Sequence, residues 1–98
     1  MKTFKINNQE VRVNIEHYHN GRKAIELVCV GGEDDGVTYT VATMNVPHAP
    51  IKDGQVLIKD YGENQGVLQA LVDNGVVTDS EWTMEYGFVE FNVCNLLV

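Results

Sequence analysis

The stretch Glu10-Val11-Arg12-Val13-Asn14-Ile15-Glu16 decides the fold class, because its apolar residues alternate strictly with polar ones. Alternation of period two places the apolar side chains on one face of an extended strand, as in a half-buried antiparallel sheet. Residues 3–6 alternate in the same way. Asn7-Asn8 between the two runs suits a tight turn, since Asn tolerates positive φ. We therefore predict a β-hairpin over residues 2–18.

Two more strands follow this hairpin along the chain. Asn20-Gly21 is a strong turn sequence, and the apolar run 23–30 after it predicts a third strand. The glycine-rich acidic segment 31–36 predicts a loop. The β-branched run 37–44 predicts a fourth strand. Residues 2–45 should thus form a meander of four antiparallel strands.

One helix is predicted over residues 63–74. Gly62 is placed at its N-cap, with Gln65 reaching back as in a capping box. Gly75 lies where a left-handed C-cap is expected. The apolar face that should dock on the sheet has i, i+1, i+4, i+5 spacing and consists of Val67, Leu68, Leu71 and Val72.

The predicted fold is α+β in a single domain, residues 1–98, with an antiparallel sheet of five to six strands and the helix on one face. A further alternating strand is predicted at 85–94, whose core side should be Val89, Phe91 and Val93. Residues 55–59 are predicted to form either a short strand or the extended lead-in to the helix. Strands 23–30 and 37–44 are apolar at both parities, which implies that both faces are covered. We expect a second copy to cover the other face, giving a homodimer.

The composition is that of an ordinary globular domain, with 44% hydrophobic and 21% charged residues among 98. No apolar run approaches the roughly 20 residues of a membrane-spanning helix. The N-terminal residues 1–6 alternate and lack the apolar core of a signal peptide, which predicts a cytoplasmic protein. Cys29 and Cys94 lie in apolar strands without C-x-x-C spacing, so they should be buried and reduced.

Charge is the least ordinary property of the chain. The net charge is −7, from 14 acidic and 7 basic residues. Residues 1–59 hold all the bases and are neutral overall, whereas residues 60–98 hold seven acids and no base. The C-terminal part has nothing to replace counterions on a phosphate backbone, which argues against direct nucleic-acid binding.

No pattern in the chain indicates catalysis, a cofactor or a metal. His17 and His19 share one side of a strand, but bare H-x-H without a nearby third ligand is a weak metal signal. The acidic loop 31–36 lacks the ligand spacing of a calcium loop. Phosphate-cradling, dinucleotide-binding and nucleophile-elbow sequences are all missing. We predict a protein that is not an enzyme; the alternative is a small-ligand-binding protein or enzyme whose pocket the sequence does not reveal.

The predicted interaction surface lies in the acidic C-terminal part. Trp82 stands between polar residues, and an exposed Trp on an acidic surface is typical of an interface anchor. We expect this Trp to lie beside one negative surface, so that the candidate residues are Asp73, Asp79, Glu81, Trp82 and Glu85.

The stretch 58–72, followed by Gly75-Val76-Val77, Gly87-Phe88-Val89-Glu90 and 93–97, resembles a family of small proteins of unknown function from bacterial phages and other mobile elements. The family usually has Ser or Thr where this chain has Gly62. The resemblance implies an accessory protein that binds a host protein, for example by mimicking nucleic acid and so inhibiting an enzyme that binds it. It implies no catalytic residue and no cofactor.

Overall fold

The computed structural model describes residues 3–98, and its first sheet is the predicted meander. Lys2, which the predicted hairpin includes, lies outside the described residues. The strands pair in chain order and are β1 (Thr3–Ile6), β2 (Gln9–His17), β3 (Lys23–Cys29) and β4 (Thr38–Val41). Asn7 and Asn8 have φ of 49° and 68°, which confirms the predicted tight turn.

A second antiparallel sheet of four strands was not expected. Its strands, in the spatial order β5-β6-β8-β7, are β5 (Thr43–Met44), β6 (Gln55–Ile58), β7 (Trp82–Tyr86) and β8 (Val89–Asn95). The α+β class is confirmed, but the strands form two sheets of four rather than one sheet of five or six.

Ala42 is the point where the predicted strand 37–44 passes from one sheet to the other. Its N–H donates to the carbonyl oxygen of Ile25 at 2.8 Å, and its own carbonyl accepts from the N–H of Lys59 at 2.8 Å. Its side chain is fully buried. Because one residue bonds to both sheets, the continuous β-branched run is divided into two short strands.

The predicted strand 85–94 is a hairpin instead of a single strand. Tyr86 pairs with Val89 across a two-residue loop, and Gly87 has a φ of 66°. Glycine at the first loop position is the requirement of a type II′ turn. Trp82 is the first residue of β7, the strand that pairs with β8 in this hairpin.

The helix is shorter than predicted and has a different N-terminal cap. A 3₁₀ turn (Gly62–Asn64) precedes α1 (Val67–Asp73), and neither makes a side-chain cap with its flanking residue. Instead, Asp60 Oδ1 accepts from the N–H groups of Gly66 at 3.0 Å and Leu68 at 3.2 Å. The predicted capping by Gly62 and Gln65 was therefore wrong, because a carboxylate from the preceding segment reaches these amides.

The C-terminal end of the helix confirms the prediction. Gly75 has a φ of 71°, its N–H donates to the Val72 carbonyl, and the N–H of Val76 donates to the Leu71 carbonyl. These two bonds form a Schellman motif.

Two hydrophobic cores enclose the second sheet. The larger core lies where the first sheet, the helix and one face of the second sheet meet, and includes Ile25, Leu27, Ile58, Val67, Leu71 and Cys94. The smaller core lies on the opposite face, where Val46 and Ala49 of the preceding loop cover Leu57, Phe91 and Val93. Phe91 and Val93 are thus buried as predicted, and Val89 packs against them while remaining partly exposed.

The second face of the first sheet is largely polar. Glu26 on β3 accepts hydrogen bonds from Asn14 on β2, at 2.9 Å, and from the hydroxyl of Thr38 on β4. The apolar residues of β3 on this face, Ala24 and Val28, are already 7% and 3% exposed in the single chain. The two-sided apolar pattern therefore does not require a second copy to cover it.

Candidate functional site

The β7–β8 hairpin presents large apolar side chains to solvent. Trp82 and Tyr86 lie on the face of β7 that also carries Met84, opposite Val93 and Val89. Trp82 is 39% exposed, Tyr86 is 60% exposed, and Phe88 in the turn is fully exposed. On this side of the hairpin, the apolar surface extends from the buried smaller core to side chains that are exposed to solvent. We call Trp82, Tyr86 and Phe88 the aromatic patch.

Tyr61 extends the apolar surface on the other side of β8. Its ring meets that of buried Phe91 edge to face, with centroids 6.0 Å apart. It also lines, with Phe88, a shallow cleft of about 430 Å³ whose other walls are Asp60, Val89, Glu90 and Asn92. An aromatic surface and two carboxylates therefore border one depression at the tip of the hairpin.

The opposite face of the hairpin carries acidic and polar side chains instead of aromatic ones. Glu85 on β7 lies directly across from Glu90 on β8, and Thr83 lies across from Asn92. Both carboxylates are exposed. The alternation that turns Trp82 and Tyr86 to one side of β7 turns Glu85 to the other. We call Glu85 and Glu90 the glutamate pair.

Asp79 and Glu81 lie together beside the far end of β8. Glu81 accepts a hydrogen bond from Asn95 Nδ2, and Asp79 Oδ1 accepts from the N–H of Ser80 at 2.8 Å. Burial raises the pKa of the Cys94 thiol to about 11, and the negative charges of Asp79 and Glu81 add to that rise. Both carboxylates are therefore close to the same buried sulfur.

The structure distributes the predicted residues over four places. Asp79 and Glu81 form one group, whereas Trp82 and Glu85 lie on opposite faces of β7. Asp73 lies at the end of α1, where it accepts a hydrogen bond from Gln69 Nε2 at 2.7 Å. Glu90 and Asp73 are exposed, as expected from their positions on strand and helix. Sequence reasoning missed Tyr86, Phe88 and Glu90 as members of the surface; reading Gly87-Phe88 as a two-residue turn would have identified them.

A separate cleft of about 510 Å³ lies between the turns at Gly21 and Gly54. Arg22, Lys23 and Lys52 contribute to its wall. The guanidinium of Arg22 donates to the carbonyls of Val46 at 2.8 Å and Ala49 at 2.9 Å. Its evident role is thus to hold the loop that covers the smaller core.

Within residues 3–98, no three His, Cys, Asp or Glu side chains come close enough together to hold a metal ion. No helix in that range is long and apolar enough to cross a membrane.

Comparison with known proteins finds no matching family model, no matching curated protein and no matching solved structure.

Proposed function

We propose that the chain is a non-enzymatic interaction protein that binds another protein through the β7–β8 hairpin. The observation that carries the proposal is the edge position of β7, with exposed Trp82 and Tyr86 on one face and Glu85 on the other. Exposed Trp and Tyr are the side chains that most often supply binding energy at interfaces. A free edge strand is itself a surface on which other chains pair unless it is protected.

The partner in this proposal has a basic surface. Residues 60–98 carry seven acids and no base, so the hairpin steers positively charged proteins toward it and repels acidic ones. The glutamate pair also places two like charges directly opposite each other, an arrangement that lowers fold stability. Because the glutamate pair lowers the stability of the fold, its presence on the surface supports a role in binding.

The proposal also covers the biological setting in which the protein acts. The resemblance to proteins of phages and mobile elements favours a host protein as partner. A host enzyme that binds nucleic acid has the basic cleft into which carboxylates could fit in place of phosphates. We place the protein in the cytosol, which agrees with Cys29 and Cys94 both being free and buried.

The experiment is affinity capture from a lysate of cells that naturally express the chain, with four matched baits. The wild-type bait should retain a basic protein at low salt and release it at high salt. Trp82→Ala with Tyr86→Ala should lose that protein, and so should Glu85→Lys with Glu90→Lys. Lys52→Glu, in the remote cleft, should retain it. Capture that the hairpin variants leave intact and the cleft variant abolishes would overturn the proposal and favour a ligand or partner at that cleft.

A further inference from the structure

The backbone of β7 has a defined outward-facing edge. The two-residue loop Gly87-Phe88 closes on Tyr86 and Val89, which form a hydrogen-bonded pair in this kind of hairpin. Hydrogen-bonded and non-hydrogen-bonded pairs alternate along an antiparallel ladder. Thr83 and Glu85 are therefore the β7 residues whose N–H and C=O groups point away from β8. Both residues are exposed, and β7 is the last strand of its sheet.

The charges around the edge of β7 determine which kind of strand can pair with it. If two copies paired through β7, their Glu85 side chains, with Glu90 one strand behind each, would add to one acidic sheet face, and the C-terminal part of neither copy has a base to neutralise it. Like charges on facing strands oppose pairing. A strand that alternates basic and apolar residues matches both sides: its bases would face the glutamate pair and its apolar side chains would face Trp82 and Tyr86.

We infer that the partner contributes an extended segment of alternating basic and apolar residues, which adds as a fifth strand to the second sheet along β7. This inference rests on the proposed function and specifies how the partner binds. In such strand addition, main-chain hydrogen bonds supply affinity and alternate side chains supply specificity. The donors and acceptors on this chain are the backbone groups of Thr83 and Glu85.

The probe is a synthetic seven-residue peptide that alternates lysine with valine or phenylalanine, and its control is a scrambled peptide of the same composition. Amide hydrogen exchange of the wild-type chain, followed residue by residue by NMR, is the readout. Saturating alternating peptide should slow exchange at Thr83 and Glu85 by about tenfold or more, as expected when exposed amides become hydrogen-bonded. The scrambled peptide should not do so.

Thr83→Pro gives an independent test. It removes one outward N–H but keeps every charge and aromatic ring, and proline is tolerated on an edge strand where the N–H faces solvent. Loss of that bond should weaken the alternating peptide by about fivefold. Met84→Pro, which removes an N–H directed at β8, should instead unfold the hairpin.

The outcomes separate the mode of binding from the function. Failure of the alternating peptide to bind, or binding without protection of Thr83 and Glu85, overturns strand addition. If Thr83→Pro retains the captured partner while Trp82→Ala with Tyr86→Ala loses it, the hairpin is an interface without strand addition. If none of these variants affects capture, the proposed function itself fails.

Discussion

Glu85 and Glu90 face each other directly across the β7–β8 ladder, so that one cross-strand pair of the second sheet consists of two like charges. Both side chains are exposed, and solvent and salt weaken their repulsion without removing it. The pair is unfavourable for folding and favourable for attracting a basic partner. Stability and binding should therefore respond in opposite directions when its charge is changed.

Replacing Glu90 with Lys converts the like-charge pair into an opposite-charge pair. We expect Glu90→Lys to raise the free energy of unfolding by about 0.5 kcal/mol, within the range of exposed cross-strand pairs, and to weaken partner binding. Urea unfolding at low and high salt measures the first effect, which should shrink as salt rises. Glu33→Lys, the same charge change in the loop after β3, is the control. A Glu90→Lys variant that is less stable than wild type at low salt would contradict this account of the pair.

Asp60 should be the residue that stabilises the start of the helix. Asp60→Ala removes the acceptor for two backbone N–H groups and should cost about 1 kcal/mol of unfolding free energy. Asp60→Asn keeps an acceptor oxygen and should cost less. Urea unfolding of both variants, with Gln65→Ala as the control for the cap that sequence alone predicts, decides between the two arrangements. A larger loss for Gln65→Ala than for Asp60→Ala would contradict the observed cap.

Glu26 should make the fold sensitive to acid. Hydrogen bonds from Thr38 and then Asn14, with a smaller contribution from Arg12, lower the pKa of the Glu26 carboxyl against the opposing effect of burial. Because the folded-state pKa is the lower one, this stabilisation is present above the unfolded-state pKa and is lost as pH falls through the folded-state pKa. NMR titration of the Glu26 carboxyl should show a higher pKa in Thr38→Val. A pKa unchanged in that variant would exclude the Thr38 hydroxyl as the main cause.

Cys94 should be unreactive in the folded chain. With a pKa of about 11, its thiol stays protonated at pH 8, and burial excludes reagent as well. An unfolded cysteine ionises near pH 8.5, so the native state binds the proton more tightly and this contribution to stability is lost as pH rises toward 11. Peptide mapping after iodoacetamide treatment should find Cys94 modified only under unfolding conditions.

The same thiol reports on the placement of Asp79 and Glu81. Asp79→Asn with Glu81→Gln should lower the pKa of Cys94, because both charges raise it. The pH profile of the Cys94 ¹³Cβ chemical shift, followed by NMR, measures the change, and Glu33→Gln is the control. An identical profile in the double variant would place the two carboxylates away from β8.

Local sequence predicted the elements whose determinants lie within a few neighbouring residues. The meander follows from alternation and from Asn7-Asn8, and the helix end follows from Gly75. Asp60 was missed as a cap because it lies six residues before Gly66, beyond the spacing of a capping box. Its reach depends on the intervening 3₁₀ turn, which the sequence does not reveal.

The second sheet and the two faces of β7 could not be predicted, because the pairing of strands determines both. At Ala42 the chain changes sheets without a Gly or a Pro to mark the change, since the change is dictated by pairing with Ile25 and Lys59. At Gly87-Phe88 the sequence pattern is that of one continuous strand. A single strand would put Glu85 and Val89 on one face, whereas the hairpin pairs Glu85 with Glu90 and Tyr86 with Val89. The faces of β7 were therefore assigned only once the turn was known.

Amide hydrogen exchange of the chain in complex with the partner captured by the wild-type bait shows directly whether β7 is the binding strand. We expect new protection concentrated at Trp82–Tyr86, with the outer face of the first sheet and the cleft at Arg22 and Lys52 unchanged. Protection at either of those two places with none at Trp82–Tyr86 would contradict it.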